Sequence, residues 1–432
     1  MEKHLLSKST FIKGYHCLKS LYLYKKRPFL RDKLTAEQRA KFKRGHEVGD
    51  LAQQLFPGGV DMSPKSPSQY QKSVIQTLEA IKMGKEVIYE ATFQHEKVLV
   101  MLDVLVKKED GWHAYEVKSS KKLSETYFTD AALQYWVIAN SGLALQSFSL
   151  VYVDENYRLN GDLDLRSYFI IQNVTEEVKE KQAFITEKIL EEKAILEEKH
   201  SPKVDVGAHC FSPYKCDFVG FCWKKIADKP YLAEEISIDK LLQKKAPNAG
   251  FLSLIFSEQA IPKCENEKAY SLQILGFQFT GSEPQLLINT CEGKKDLIDT
   301  FIKQASSQNK IITFDKSKLN ICLEEVAKIY PEHQEQINQI LEKTIGLIDV
   351  LANEYSKVDE KKELYSAAWF SKTYFTKESN LHKLPVYSDI LARELFDKTK
   401  KDLLSEDHPD LESLRDYLSE QLGLVMLLHQ KI

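Results

Sequence analysis

The chain has 432 residues, of which 43% are hydrophobic and 28% charged, the balance of a folded protein with apolar side chains enough for more than one core. Sixty lysines and arginines against 63 aspartates and glutamates give a formal net charge of −3, which excludes a globally basic nucleic-acid coat. No run approaches the ~18 consecutive apolar residues of a membrane helix, so no membrane partner is expected. The opening MEKHLLSKSTFIKGYHC lacks an apolar core and a small-residue cleavage site, and a cytoplasmic location is expected.

Residues 1–50 hold a basic run with interleaved aromatics: Lys19, Tyr22, Tyr24, Lys25, Lys26, Arg27, Phe29, Arg31, Lys33, then Arg39, Lys41, Lys43 and Arg44. Such a run suits a solvated surface, or a track for phosphates and stacked bases. Helical periodicity over 36–56 ends at Pro57-Gly58-Gly59. A Pro- and Ser-rich loop at 60–69 precedes a second amphipathic helix over 68–83. The period then changes. Segments 86–94, 98–106 and 112–118 are rich in Val, Leu and aromatics, with turn residues between them, and predict an antiparallel run of strands. A helix over 129–140, strands at 148–153 and 168–172, and one long charged helix over 175–199 follow. Polar residues 226–249 contain Pro230 and Pro247 and predict a linker between domains 1–225 and 250–432. Beyond it, strands at 251–256, 270–277, 285–289 and 310–314 mix with helices, so two α/β domains are expected.

Asp103 stands inside the apolar strand VLVMLDVLV, where an unpaired carboxylate is costly. Glu116 and Lys118 are two apart on the next strand and so share a face. A hairpin across 107–111 would bring Asp103 to that face. Hard oxygen ligands of this kind hold Mg²⁺ or Mn²⁺, and a neighbouring lysine offsets anionic charge. The bland reading is a strand pair joined by a salt bridge.

Seven cysteines without a secretory context argue against a disulfide framework. Cys264, Cys291 and Cys322 sit singly and read as small core residues. Cys210, Cys216 and Cys222 are spaced C-x5-C-x5-C, and Cys17 stands near the N-terminus. Zinc knuckles favour tighter C-x2-4-C pairs, although a zinc site remains an alternative.

The order of these features resembles the RecB-like PD-(D/E)XK nucleases: Asp103, then Glu116-Val117-Lys118, then Gln134-Tyr135 on the following helix. The N-terminal helix reads FKRGHEVG, with Gly49 where many family members place a metal-binding His and with His46 and Glu47 just before it. Glu90, in IYEATF, is a further acidic candidate. The far N-terminal cysteine plus three C-terminal ones looks like the CRISPR-associated RecB-like exonucleases, in which four thiolates bind a structural [4Fe–4S] cluster.

The resemblance covers residues 1 to about 225 and implies a restriction-endonuclease-like mixed sheet with flanking helices. It implies metal ligation by Asp103, Glu116 and the Val117 carbonyl, with Lys118, Gln134 and Tyr135 completing the site. Cys17, Cys210, Cys216 and Cys222 would hold the cluster. Residues 250–432, together with LFPGG at 55–59, resemble bacterial proteins that join such a nuclease to a ribonuclease H-like DEDD exonuclease domain. The acidic positions of that domain are replaced here by Ser253, Ile255, Leu319 and Gln421, leaving Asp349, so a catalytically inactive second domain and a candidate site for protein partners is implied. The expected activity is hydrolysis of DNA at single strands or ends. The alternative is an inactive nuclease fold that binds nucleic acid or serves as a scaffold.

Overall fold

The computed structural model describes residues 3–211, 214–224, 249–258, 270–278, 285–288, 295–349, 367–368, 379–388, 391–392, 394–395 and 409–430. The chain forms two compact units, one of residues 1–35, 42–157 and 163–227, the other of residues 36–41, 158–162 and 228–432. Each is built on a mixed sheet with helices, the α/β class expected. The expected linker, 226–249, lies outside the described residues save for its last, as do Cys264 and Cys291. No helix among the described residues is long and apolar enough to cross a membrane.

In the first unit the sheet runs β2 (Val60–Asp61), β3 (Val87–His95), β4 (Val98–Lys108), β5 (Gly111–Lys118), β6 (Leu145–Val153) and β7 (Phe169–Asn173). β3, β4 and β5 are antiparallel neighbours, as the segments rich in Val, Leu and aromatics and the turns between them predict. β6 lies parallel to β5, so the chain must cross over, and α5 (Glu125–Asn140) makes the crossing. That helix buries Ala131, Ala132, Leu133, Val137 and Ile138 against the sheet, in one core with Val100, Leu102, Leu105 and Leu150.

β5 pairs only with Val104–Lys108 of β4, which leaves the opposite end of that β4 edge open. A two-residue strand, β1 (Leu6–Ser7), fills it in parallel at Val98 and Leu99. A capping box at Ser7 then starts α1 (Lys8–His16), and Cys17, in extended backbone, separates α1 from α2 (Leu18–Lys26). The sequence gives little sign of these elements. Two strand residues and two nine-residue helices are too short to display a period.

The charged segment expected as one helix is two, α7 (Thr175–Glu180) and α8 (Gln182–Glu197). The Gln182 side chain donates to the Val178 carbonyl at 2.5 Å and to Ala132 O of α5 at 3.2 Å. It thereby takes the acceptor that a continuous helix would offer to its own backbone N–H.

On α8, Glu192 is wholly buried and neither carboxylate oxygen has a hydrogen-bond partner. Gly14 of α1 makes room for it, since a Cβ there would run into the carboxylate. Burial, reinforced by Glu191, pushes its pKa up to about 9, so the fold holds it protonated. Between its ordinary value of 4.5 and about 9 the folded state binds a proton that the unfolded state has released. Stability contributed below the unfolded value is therefore lost as pH rises through that window, by at most about 1.4 kcal/mol per unit. Glu192→Gln is expected to raise Tm at pH 8 by about 5 °C and to flatten the decline from pH 5 to 9 in calorimetry. Parallel pH profiles of the two proteins would contradict this.

In the second unit β8 (Ala249–Glu258), β9 (Tyr270–Gln278) and β10 (Gln285–Ile288) are antiparallel, and β11 (Lys310–Thr313) and β12 (Thr344–Gly346) run parallel to β8, giving the order β10-β9-β8-β11-β12. Helices α10 (Lys295–Ser306), α11 (Lys316–Ile329) and α12 (Gln334–Glu342) share a core of Phe277, Phe301, Ile311, Leu323 and Ile340 with this sheet. Cys322 is buried there, the core residue expected. The last described helix is α13 (Pro409–Gln430).

Candidate functional site

Register across the antiparallel strands lines up three carboxylates. Tyr89 pairs with Val104 and Ala91 with Leu102, which sets Glu90 opposite Asp103. Val104 pairs with Tyr115, so the next step sets Asp103 opposite Glu116. Directly opposed residues on antiparallel strands share a face. The β4–β5 pairing ends at this row, while β3 and β4 stay paired beyond it as far as His95 and Val98. Glu90 takes a left-handed φ of 52°, which a non-glycine residue rarely adopts and which strained functional sites favour. Past Val104 the strands β4 and β5 splay, and Asp103 Oδ2 accepts the Val117 backbone N–H at 2.6 Å across the gap.

Two lysines enter this wedge. Lys118 Nζ donates to Glu116 Oε1 at 2.7 Å and to Asp130 Oδ2 of α5 at 2.5 Å, and lies 5.2 Å over the Tyr127 ring. Lys8 Nζ, from the first turn of α1, donates to the same Glu116 Oε1 at 2.7 Å. Glu116 itself is only 1% exposed. Asp103, Glu116 and Lys118 thus converge as expected, while Lys8 and Asp130 were not anticipated from the sequence. Asp130 had a visible signal, being one helical turn before Gln134 and so on the same face.

Charges on these groups are strongly interdependent. Burial raises the Asp103 pKa well above the carboxylate range, and Glu116 and Glu90 push it further than Lys8 and Lys118 pull it back. Burial likewise lifts Glu90 to about 7 against the pull of Lys8, with Glu116, Asp61 and Asp50 adding to the rise. Burial opposes ionisation of Glu116 too, but Lys118 and Lys8 overcome it and hold this pKa low. Glu90, Asp103, Glu116 and Asp130 face two ammonium groups, so the site has more anion sites than cations.

Several buried polar atoms lack partners as well: the oxygens Glu116 Oε2, Asp130 Oδ1 and Gln134 Oε1, and the nitrogen Gln134 Nε2. Buried polar atoms are rarely left this way unless water or an ion serves them. The donor set therefore fits a hard divalent cation, and the orphaned oxygens are where one would find acceptors. Among the described residues no three His, Cys, Asp or Glu side chains close around a single point. Glu116 is instead turned to its two lysines.

The remaining expected residues are more scattered. Gln134 is wholly buried one turn beyond Asp130, and Tyr135 packs against the core. His46 and Glu47 are exposed on α3 (Ala36–Gln53), with Glu47 3.8 Å from Lys43. The α3 residue whose charge acts on Glu90 is Asp50. The LFPGG turn fixes this side of the site: the Tyr89 hydroxyl donates to Phe56 O at 2.5 Å and accepts the Gly59 N–H at 3.2 Å. A Cβ at Gly59 would strike the Tyr89 ring, which accounts for that glycine.

Cys17, Cys210, Cys216 and Cys222 line one cleft together with Lys19, Ser20 and His209. The start of α2 and residues 204–206 complete its lining, and its Phe218 packs in a small core with Tyr22, Leu23 and Ile195. Asp217 locks the C-terminal loop to the N-terminal helices. Its carboxylate meets Lys13 Nζ at 2.6 Å and Arg31 Nε at 3.1 Å, and its carbonyl accepts the Asp32 N–H at 2.7 Å. Burial raises the Cys17 pKa and lifts Cys222 to about 11, and the neighbouring cysteines add to both rises. Four thiolates here would repel one another until cations bind them, and each thiolate of a cluster meets its own iron rather than one shared point. The cysteine set fits such a group.

The aromatic run is not one surface. Tyr22 is core and donates to Lys199 O at 2.9 Å, Tyr24 lies beneath Lys13 and Arg31, and Phe29 is 77% exposed. Tyr214 of the cysteine loop stacks edge-on with His16 at 5.0 Å and is within electrostatic reach of both Asp130 and Cys216.

In the second unit Leu319 is fully buried and Gln421 donates to the Tyr417 hydroxyl at 2.6 Å. No curated protein matches the chain. A family described as a domain of unknown function (DUF2779) matches residues 257–367, which lie wholly in the second half, apart from the carboxylate row and the thiols.

Proposed function

We propose that the first unit is a metal-dependent deoxyribonuclease of the RecB-like PD-(D/E)XK type, stabilised by a [4Fe–4S] cluster. The observation that carries this reading is the strained row Glu90–Asp103–Glu116, with its excess of carboxylates and its orphaned buried oxygens. Asp103, Glu116 and the Val117 carbonyl would hold Mg²⁺ or Mn²⁺, with Glu90 beside them. Such an ion supplies an activated water and neutralises phosphoryl charge. Lys118, fixed between Glu116 and Asp130, is placed to orient that water or to offset the anionic transition state. Asp130 keeps the lysine in position, and Gln134 and Tyr135, on the same helix, would support the site. Cys17, Cys210, Cys216 and Cys222 would hold the cluster, which joins the two ends of the unit's sequence and does no chemistry on DNA.

The second unit is proposed as non-catalytic, because Leu319 belongs to its core and Gln421 is engaged by Tyr417. It remains the candidate surface for protein partners. Protein purified without oxygen, freed of loosely bound metal and given Mn²⁺ is expected to cleave labelled single-stranded or end-bearing duplex DNA, and EDTA to stop it. Intact DNA under Mn²⁺ and Mg²⁺, with binding retained, would replace this reading by the nucleic-acid-binding one.

A further inference from the structure

Lys8 lies outside the Asp, Glu-x-Lys and Gln–Tyr positions, yet it makes the same contact with Glu116 as Lys118 does. The fold delivers it deliberately. Leu5 and Leu6 donate to Lys97 O, β1 occupies the β4 edge that β5 leaves open, and the Ser7 box starts α1 so that its first side chain enters the wedge. The two lysines are held differently. Lys118 is clamped by two carboxylates and its side chain is 13% exposed, whereas Lys8 has one partner and is 29% exposed. Both press on one oxygen of Glu116, and the other oxygen has no partner.

We propose that Lys8 is an internal counter-ion for the metal site: it occupies Glu116 while no divalent ion is bound, yields that carboxylate when one enters, and then offers its ammonium to a substrate phosphate. The inference rests on the metal-dependent reading of the row. It follows from charge. An ammonium in contact with a prospective ligand competes with a metal for it, and the competition is reciprocal. Once released, a solvent-facing lysine at the mouth of an anionic site is the group best placed for a phosphodiester, while Lys118 stays clamped inside.

Manganese titration of the full-length protein, followed by electron paramagnetic resonance, tests this without reading activity. Lys8→Met and Lys8→Gln are expected to bind Mn²⁺ at least about fivefold more tightly than wild type, and to bind a single-stranded oligonucleotide in Ca²⁺ about fivefold or more weakly. Lys8→Gln keeps a donor for Glu116, so it separates loss of charge from loss of packing if Lys8→Met folds poorly. Wild-type binding of Mn²⁺ with unchanged or weaker affinity in both variants would overturn the counter-ion role alone. No Mn²⁺ binding by the wild type would overturn it together with the metal reading.

Discussion

Asp103→Asn is expected to lower Mn²⁺-dependent DNA cleavage by at least about 10³-fold, equivalent to about 4 kcal/mol of transition-state stabilisation, while leaving the fold intact. The asparagine carbonyl can still accept the Val117 N–H that closes the wedge between β4 and β5. What is lost is the negative charge, which burial and the neighbouring carboxylates already make expensive for the metal-free fold. Stability is therefore expected to hold or rise slightly, whereas metal ligation fails. The companion change Lys118→Ala should also abolish cleavage but is a less clean experiment. It strips a cation from two carboxylates that are nearly inaccessible, and removing one partner of a buried ion pair costs about 3–5 kcal/mol. Circular dichroism and turnover measured on the same samples separate the two effects. Full cleavage by folded Asp103→Asn would remove the carboxylate row from the mechanism.

Cys216→Ser is expected to give a colourless and far less stable protein. Wild type purified without oxygen should be brown, with a broad absorption band from iron–sulfur charge transfer. Cys216 is the centre of the clasp: its backbone N–H donates to Cys210 O at 2.8 Å, its thiol reaches Ser20 Oγ at 3.5 Å, and its neighbour Asp217 ties the loop to Lys13 and Arg31. Losing one thiolate of four would remove the proposed cluster, which would bridge residue 17 to residues 210–222, and with it the free energy that cluster binding would add to folding. Unchanged visible absorbance in Cys216→Ser would exclude these four cysteines as the cluster ligands. A colourless wild type holding zinc would do the same.

Much of the first unit was legible because its signals are periodic. The run VLVMLDVLV alternates little because β4 is covered on both faces, and the turn at 107–111 fixes the register that sets Asp103 opposite Glu116. The meeting of Asp103 with Glu116 and Lys118 is thus legible from two strands. Glu90 reads only as a further acid on the preceding strand, since its left-handed backbone leaves no mark in the sequence. Lys8 and Asp130 were missed for a different reason. Lys8 reaches Glu116 across 108 residues of sequence, by way of a strand two residues long. Asp130 stands one helical turn before Gln134, a visible sign of the face it shares, but its partner Lys118 is fixed only when α5 crosses over the sheet. Long-range pairing of this sort leaves no local period to read. The break at Lys181 is similar, since it depends on Gln182 finding the Ala132 carbonyl of another helix.

Glu90, Asp103 and Glu116 are proposed to form a divalent-metal centre. Titrating Mn²⁺ into oxygen-free protein stripped of loosely bound metal, and following free Mn²⁺ by electron paramagnetic resonance in wild type and Asp103→Asn side by side, tests it most directly. Saturable binding by the wild type is expected, weakening at least about 100-fold in Asp103→Asn. Equal binding by the two proteins, or none by either, would contradict it.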